Sequence, residues 1–250
     1  MSVVEVDAGA TSTASVQVTL LAVGTPDEIS FSWLSQDERE RAARYTRPEA
    51  GRSFMIRRAL LRRTLALALD ANPADIRFEV DEMGKPHLAS HPDHEFSFSH
   101  AGAFALIALG RLRLGVDIES LDNILDQPTL ATRVLTRREL AIYDAQSPAA
   151  RPRMLLEALV RKEALVKAMG MGLRRDPTTF DVWGDDETDL PLLVHPDTTE
   201  WTCSPIAAPH GYAAALAVEG TRIDLRVDEA GTNLSASIGV MDGPWGSWFR

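Results

Sequence analysis

The stretch RPRMLLEALVRKEALVKAMG, residues 151–170, constrains this chain more than any other. Leu156, Leu159, Val160 and Val166 recur at helical spacing, and Gly170 stands where such a helix stops. A helix with an unbroken apolar row has to be covered, and the flanking sequence offers strands to cover it. LGVDIES (114–120) precedes it, and TFDVW (179–183), DLPLLV (189–194), EWTCSPI (200–206) and GYAAALAV (211–218) follow. The same order appears earlier. PEAGRSFMIRRALLRRTLALALD (48–70) opens on proline and keeps a stripe through Phe54, Ile56, Leu60, Leu61, Leu65 and Leu69. SVQVTLLAV (15–23) lies before it, and DIRFEV (75–80), FSFSH (96–100) and AFALIALG (103–110) after it. Strand, helices, strands thus runs twice, with the join near Gly115, and the fold class expected is α+β in two similar halves. Ser35 with Glu38, and Thr136 with Glu139, are capping boxes that start further helices. Between residues 81 and 95, DEMGKPHLASHPDHE reads as a polar loop punctuated by Gly84, Pro86 and Pro92. Residues 221–250 carry too few periodic cues to assign, although Trp245, Trp248 and Phe249 suggest packing.

A chain of 250 residues, 45% hydrophobic, is enough for one large domain or two small ones. Its longest apolar stretches fall well short of a membrane span, and its first residues lack the basic start and apolar run of a signal peptide, so a soluble cytoplasmic protein with no membrane partner is expected. Cys203 is the only cysteine, which excludes an internal disulfide and a cysteine-based zinc site. A net charge of −10 argues against general binding to nucleic acid. The cations are nevertheless uneven. Arg39, Arg41, Arg44, Arg47, Arg52, Arg57, Arg58, Arg62 and Arg63 crowd one segment, where they could hold an anion or simply solvate two helices. Lysine occurs only at 85, 162 and 167, and where arginine is the default cation a lysine suggests a need for a compact ammonium.

Alternate side chains of a strand share a face, so Asp117 and Glu119 stand side by side. Two adjacent carboxylates repel unless neutralised. A hard divalent cation does this where oxygen ligands converge, and Mg²⁺ commonly accompanies a phosphate substrate; an edge strand with its acidic face in water is the alternative. Glu163 lies on or beside the buried row of the 151–170 helix, with Lys167 four residues on. The pair is either an ordinary intrahelical contact or part of a site in which Glu163 shares a metal with Asp117 and Glu119. His87, His91, His94 and His100 fall within fourteen residues, but Pro86 and Pro92 break any helical ligand spacing, and a polar loop accounts for the first three better than zinc, while His100 follows FSFS into a buried strand, where a satisfied core histidine is the alternative to a site residue.

GKPHL, FSFSH, GVDIE and RKEALVKAMGMGL follow one another as in the surfactin-synthetase-activator type of 4′-phosphopantetheinyl transferase, which this chain resembles over roughly residues 33–218. The resemblance implies two α+β halves related by a pseudo-twofold, with the active site at their interface. Residues 1–114 would form the half on the adenine and 3′-phosphate side of coenzyme A, residues 115–220 the half bearing the metal-binding and catalytic residues, and 221–250 a tail of unassigned structure. Arg41, Arg52 and Ser53 match positions that hold the 3′-phosphoadenosine end. Gly84, Lys85 and Pro86 match the loop along the nucleotide, and Ser99 and His100 the contacts to the 3′-phosphate. Asp117, Glu119 and Glu163 would bind Mg²⁺ against the pyrophosphate, with Lys167 neutralising the same phosphates and Glu163 taking the proton of the attacking hydroxyl. Glu163, Lys167, Asp117 and His100 make up the expected catalytic set.

The implied reaction moves phosphopantetheine from coenzyme A to a serine of an apo acyl or peptidyl carrier protein and releases 3′,5′-adenosine bisphosphate. Carriers of fatty-acid, polyketide, nonribosomal-peptide or siderophore synthesis are all admissible, and a monomer is the family's habit. Leu159 departs from the pattern, because many relatives carry an aromatic residue four positions before the helix glutamate. A Mg²⁺-dependent phosphohydrolase and a non-catalytic module binding coenzyme A or carrier are the rival readings. Arg133, Arg137 and Arg138 are expected to meet an acidic carrier, on charge alone.

Overall fold

A computed structural model describes residues 2–7, 13–23, 29–125, 129–171, 175–183, 192–194 and 199–220. The first half comprises strands β1 (Ser2–Asp7) and β2 (Thr13–Ala22), helices α1 (Gln36–Ala43) and α2 (Pro48–Ala68), and strands β3 (Phe78–Val80), β4 (Pro86–Leu88), β5 (Glu95–Ala101) and β6 (Phe104–Gly110). The second comprises β7 (Leu114–Ser120), helices α3 (Asp122–Leu125), α4 (Leu130–Val134), α5 (Arg137–Ala145) and α6 (Arg151–Met169), then β8 (Leu192–Val194), β9 (Trp201–Ile206) and β10 (Tyr212–Glu219). One antiparallel sheet has the order β1-β2-β6-β5 and the other β7-β10-β9-β8. In each, the strand before the long helix pairs with the last strand of its half, which pairs with the strand before it. The doubled order of the sequence is therefore a doubled topology, α+β in both halves.

Strand alternation decides what each face meets. Val16 and Val18 of β2, Phe104, Leu106 and Ala108 of β6, and Leu114, Val116, Ile118, Leu216 and Val218 of β7 and β10 form one cluster between the sheets. The other face of the first sheet, with Phe96, Ile107 and Leu109, takes Leu61 and Leu65 of α2. The other face of the second, with Cys203, Ala213, Ala215 and Ala217, takes α6. These small residues let α6 lie close to the sheet, and Gly115 is the extreme case. A Cβ there would stand 2.1 Å from the carbonyl oxygen of Ala164 and 2.4 Å from the Ala168 nitrogen, so only glycine fits. Leu159, at the position of the departure from the family pattern, is buried in this core.

The two sheets meet along β5 and β7, an edge of each. Their register is stitched by serine hydroxyls. The Val116 amide donates to Ser97 Oγ at 3.0 Å, and Ser99 Oγ donates to Asp117 Oδ1 at 2.7 Å. Lys85 ties the halves a second time, donating to Glu95 Oε2 at 2.8 Å and to the Ala168 carbonyl at 3.3 Å in the last turn of α6, a favoured place for a cation.

Several expectations change. β1 pairs with β2 and has no counterpart in the reading of the sequence. Only residues 78–80 of DIRFEV are strand, and they pair with Pro86–Leu88 inside the expected loop, around a turn in which Asp81 accepts from the amides of Met83 and Lys85. TFDVW is not a strand: Asp176 Oδ1 accepts from the Thr178 amide and starts a 3-10 turn over Pro177–Thr179, beyond which the chain stays irregular to residue 183. Arg58 and Arg62 are not solvated. Their Nε atoms reach the two oxygens of Glu38 at 2.6 and 2.8 Å, and Arg62 also donates to the carbonyls of Pro73 and Ile76. Lys162 is buried on Glu139 at 2.5 Å and on the carbonyls of Val134, Pro177 and Phe180, so this lysine holds the second half together. Glu139 does two jobs, capping α5 and neutralising Lys162. Residues 184–191, Gly172, the tail 221–250 and its Trp245, Trp248 and Phe249 lie outside the described residues.

Candidate active site

Three elements converge at the seam. β7 carries Asp117 and Glu119 on the face turned to α6, α6 carries Glu163 and Lys167 on the face turned to β7, and β5 brings Ser99 from the other half. Lys167 Nζ donates to Asp117 Oδ1 at 2.7 Å and to the Val116 carbonyl at 3.2 Å. With the Ser99 hydroxyl on the same oxygen, Oδ1 has two donors. Oδ2 of Asp117 is buried and has no partner among the described residues. Glu119 Oε2 accepts from Asn123 at 3.0 Å.

Burial and mutual repulsion shape the other two carboxyls. Glu119 is pushed up to about 7 by loss of water and by the Asp117 charge, and Glu163 to about 7 by the same two causes together with Glu119. Among the described residues no three His, Cys, Asp or Glu side chains are already gathered as metal ligands, so the expected trio is adjacent without being closed. Its chemistry nevertheless fits Mg²⁺. The donors are all oxygen, one buried oxygen is unpartnered, and two carboxyls stand ready to release protons to a cation.

FSFSH divides between two faces. Ser99 turns to β7, and His100, the next residue along the strand, turns to the side covered by α2. Burial, then Arg57 and Lys167, push His100 down to about 3, so its imidazole is neutral at neutral pH and offers hydrogen bonds rather than charge. Arg57 was read in the sequence only as one of the crowded arginines that could hold an anion, and the structure sets it by His100. It lies one turn beyond Ser53 on α2, and that i, i+4 row was the available signal. Burial lowers its own pKa to about 10, so it remains a cation.

The remaining expected binding residues line the first half. Arg41 of α1 stacks over the Phe54 ring at 5.2 Å, Arg52 is exposed near the start of α2, and Ser53 is half-buried. Gly84 takes φ +89° in the β3–β4 turn, with Lys85 and Pro86 following. The histidine-rich loop forms no metal cluster among the described residues: His87 faces Glu79 at 3.5 Å and His91 bonds Ser90 at 3.0 Å. Cys203 is buried, and burial pushes its thiol up to about 12, far from a nucleophile.

Two family models match consecutive parts of the chain, the 4′-phosphopantetheinyl transferase N-terminal model over residues 26–111 and the 4′-phosphopantetheinyl transferase superfamily model over residues 113–217. This chain belongs to the 4′-phosphopantetheinyl transferase superfamily. The two models meet at the turn between β6 and β7, where the chain passes from one sheet to the other. A 4′-phosphopantetheinyl transferase of Bacillus subtilis is 29% identical over 181 residues, covering 72% of this chain and 79% of that protein. The 4′-phosphopantetheinyl transferase Sfp of the same species is 26% identical over 62% of this chain and 69% of its own length. The 4′-phosphopantetheinyl transferase HetI of a Nostoc species is 32% identical over 57% and 62%. The matched spans of the transferase models take in β5, β7 and α6, the three elements of the seam.

Proposed function

We propose that this transferase moves the 4′-phosphopantetheinyl group of coenzyme A to a serine hydroxyl of an apo acyl or peptidyl carrier protein, releasing 3′,5′-adenosine bisphosphate. The observation that carries the chemistry is the set of carboxyls around the unpartnered Asp117 Oδ2, at the seam of two halves that match the transferase family. The first half, residues 1–114, binds the nucleotide end. Arg41, Arg52, Ser53, Gly84, Lys85, Pro86 and His100 hold it, with Arg57 supplying charge beside the neutral imidazole. The second half, residues 115–220, supplies Asp117, Glu119 and Glu163 as the ligands of Mg²⁺. When bound, the ion offsets the charge of the pyrophosphate and polarises it toward attack.

Glu163 serves as the base. Ionised at the seam beside the metal, its carboxylate is the oxygen acceptor available to take the proton of an incoming serine hydroxyl. Lys167, on a flexible stem whose side chain is 33% exposed, can turn its ammonium from Asp117 to the phosphates as they arrive. The residues proposed for the site all come from one chain, which supports a monomer. Among the described residues no helix is long and apolar enough to cross a membrane, in keeping with work in the cytoplasm.

The test is intact-mass spectrometry of an apo carrier incubated with this protein, coenzyme A and Mg²⁺. The carrier should gain one phosphopantetheine. Glu163→Gln should lower the rate by about 10³-fold while leaving coenzyme A bound, and EDTA should abolish the gain. Release of free phosphopantetheine without any carrier would instead identify a hydrolase.

A further inference from the structure

We propose that Ser99 is a positioning residue for Asp117, acting on the metal-binding carboxylate rather than on the nucleotide. The inference rests on the metal reading above. Both partners are buried, Ser99 at 7% and Asp117 at 3% exposure, and the hydroxyl donates to Oδ1 across the seam at 2.7 Å. Strand alternation separates Ser99 from its neighbour His100, so the two side chains leave β5 on opposite faces, one toward β7 and one toward α2. The Ser99 hydroxyl is thus committed to the Asp117 carboxylate.

The bond does something specific to the carboxylate. With Oδ1 occupied by Ser99 and Lys167, the plane of the Asp117 carboxylate is fixed, and Oδ2 is the oxygen left to accept a cation. Lys167 leaves when it follows the phosphates. Ser99, on a short side chain in a strand, does not. In the loaded site Ser99 is then the donor that keeps Oδ2 aimed, and outer partners of this kind are commonly worth ten- to hundredfold in metal affinity. Ser97, two residues earlier on the same face, bonds the backbone instead, accepting from the Val116 amide at 3.0 Å.

Calorimetric titration of Mg²⁺ into the protein without coenzyme A, and of coenzyme A into the protein in EDTA, separates the two roles. Ser99→Ala should weaken Mg²⁺ binding by about tenfold and leave coenzyme A affinity in EDTA within about twofold. Ser99→Cys, close in volume but a poor donor, should behave alike and guards against a variant that fails to fold. Ser97→Ala should leave Mg²⁺ affinity nearly unchanged. Unaltered Mg²⁺ affinity in the Ser99 variants, or a loss confined to coenzyme A, overturns the proposal, and so does an equal loss in Ser97→Ala, which would trace the effect to the packing of the seam. Wild-type protein that binds no Mg²⁺ overturns the metal reading itself, and the proposal falls with it.

Discussion

At Asp117 one oxygen receives a hydroxyl and an ammonium while the other has no partner among the described residues, and burial and the Asp117 charge raise the two neighbouring carboxyls. The pH dependence follows in sign. Glu119 and Glu163 have folded values near 7 against an ordinary 4.5, so the stabilisation their protonated forms give the metal-free protein is complete below 4.5 and is lost as pH rises through about 7. Mg²⁺ requires the ionised forms. Its binding should therefore release protons, strengthen between pH 6 and pH 8, and raise the melting temperature more at pH 8 than at pH 6. Calorimetry in buffers of different ionisation enthalpy measures the proton count, and pH-independent binding would refute the assignment. GVDIE and KEALVK announced these residues, because carboxylates inside apolar runs are unusual enough to read. The two serines of FSFSH also declared their face by alternation. What they touch was hidden, since it depends on how two sheet edges meet, a contact between residues 18 and 19 positions apart in different halves.

At the scale of elements, α6 is held against β7 at a distance that only Gly115 allows. Gly115→Ala must push the strand from the helix, at a cost of about 2 kcal/mol in stability. The larger effect should be catalytic. Asp117 lies two residues along the same strand, and a displacement of about 1 Å there should cost roughly a hundredfold in kcat. Thermal melting and steady-state kinetics on one preparation distinguish the two losses; a variant that melts lower yet keeps full kcat would show that the spacing serves stability alone. The four longer helices, α1, α2, α5 and α6, were plain in the sequence because their apolar period, capping boxes and prolines act locally, whereas the short α3 and α4 were not read from it. β1 and the β3–β4 hairpin were not, because short strands take their identity from partners. Lys162 illustrates the same limit, since the carbonyls that bind it come from two separate segments, one at Val134 and one at Pro177 and Phe180.

At the scale of the whole molecule, the doubled topology sets the residues proposed for the nucleotide on one side of the seam and the carboxyls on the other, with the arginines of α4 and α5 exposed. Arg133, Arg137 and Arg138 are exposed in an otherwise acidic protein. Reversing all three charges should raise the KM for carrier by about tenfold with coenzyme A binding unchanged, and unaltered carrier kinetics would place docking elsewhere. The apolar layer between the sheets has a consequence in time as well as in space. During synthesis the ribosome delivers Val16, Val18, Leu106 and Ala108 long before Leu216 and Val218, the central residues that cover them. From the emergence of β6 until that of β10 the inner face of the first sheet stands without its full cover, exposed to chaperones and to other nascent chains until the last described strand has left the exit tunnel.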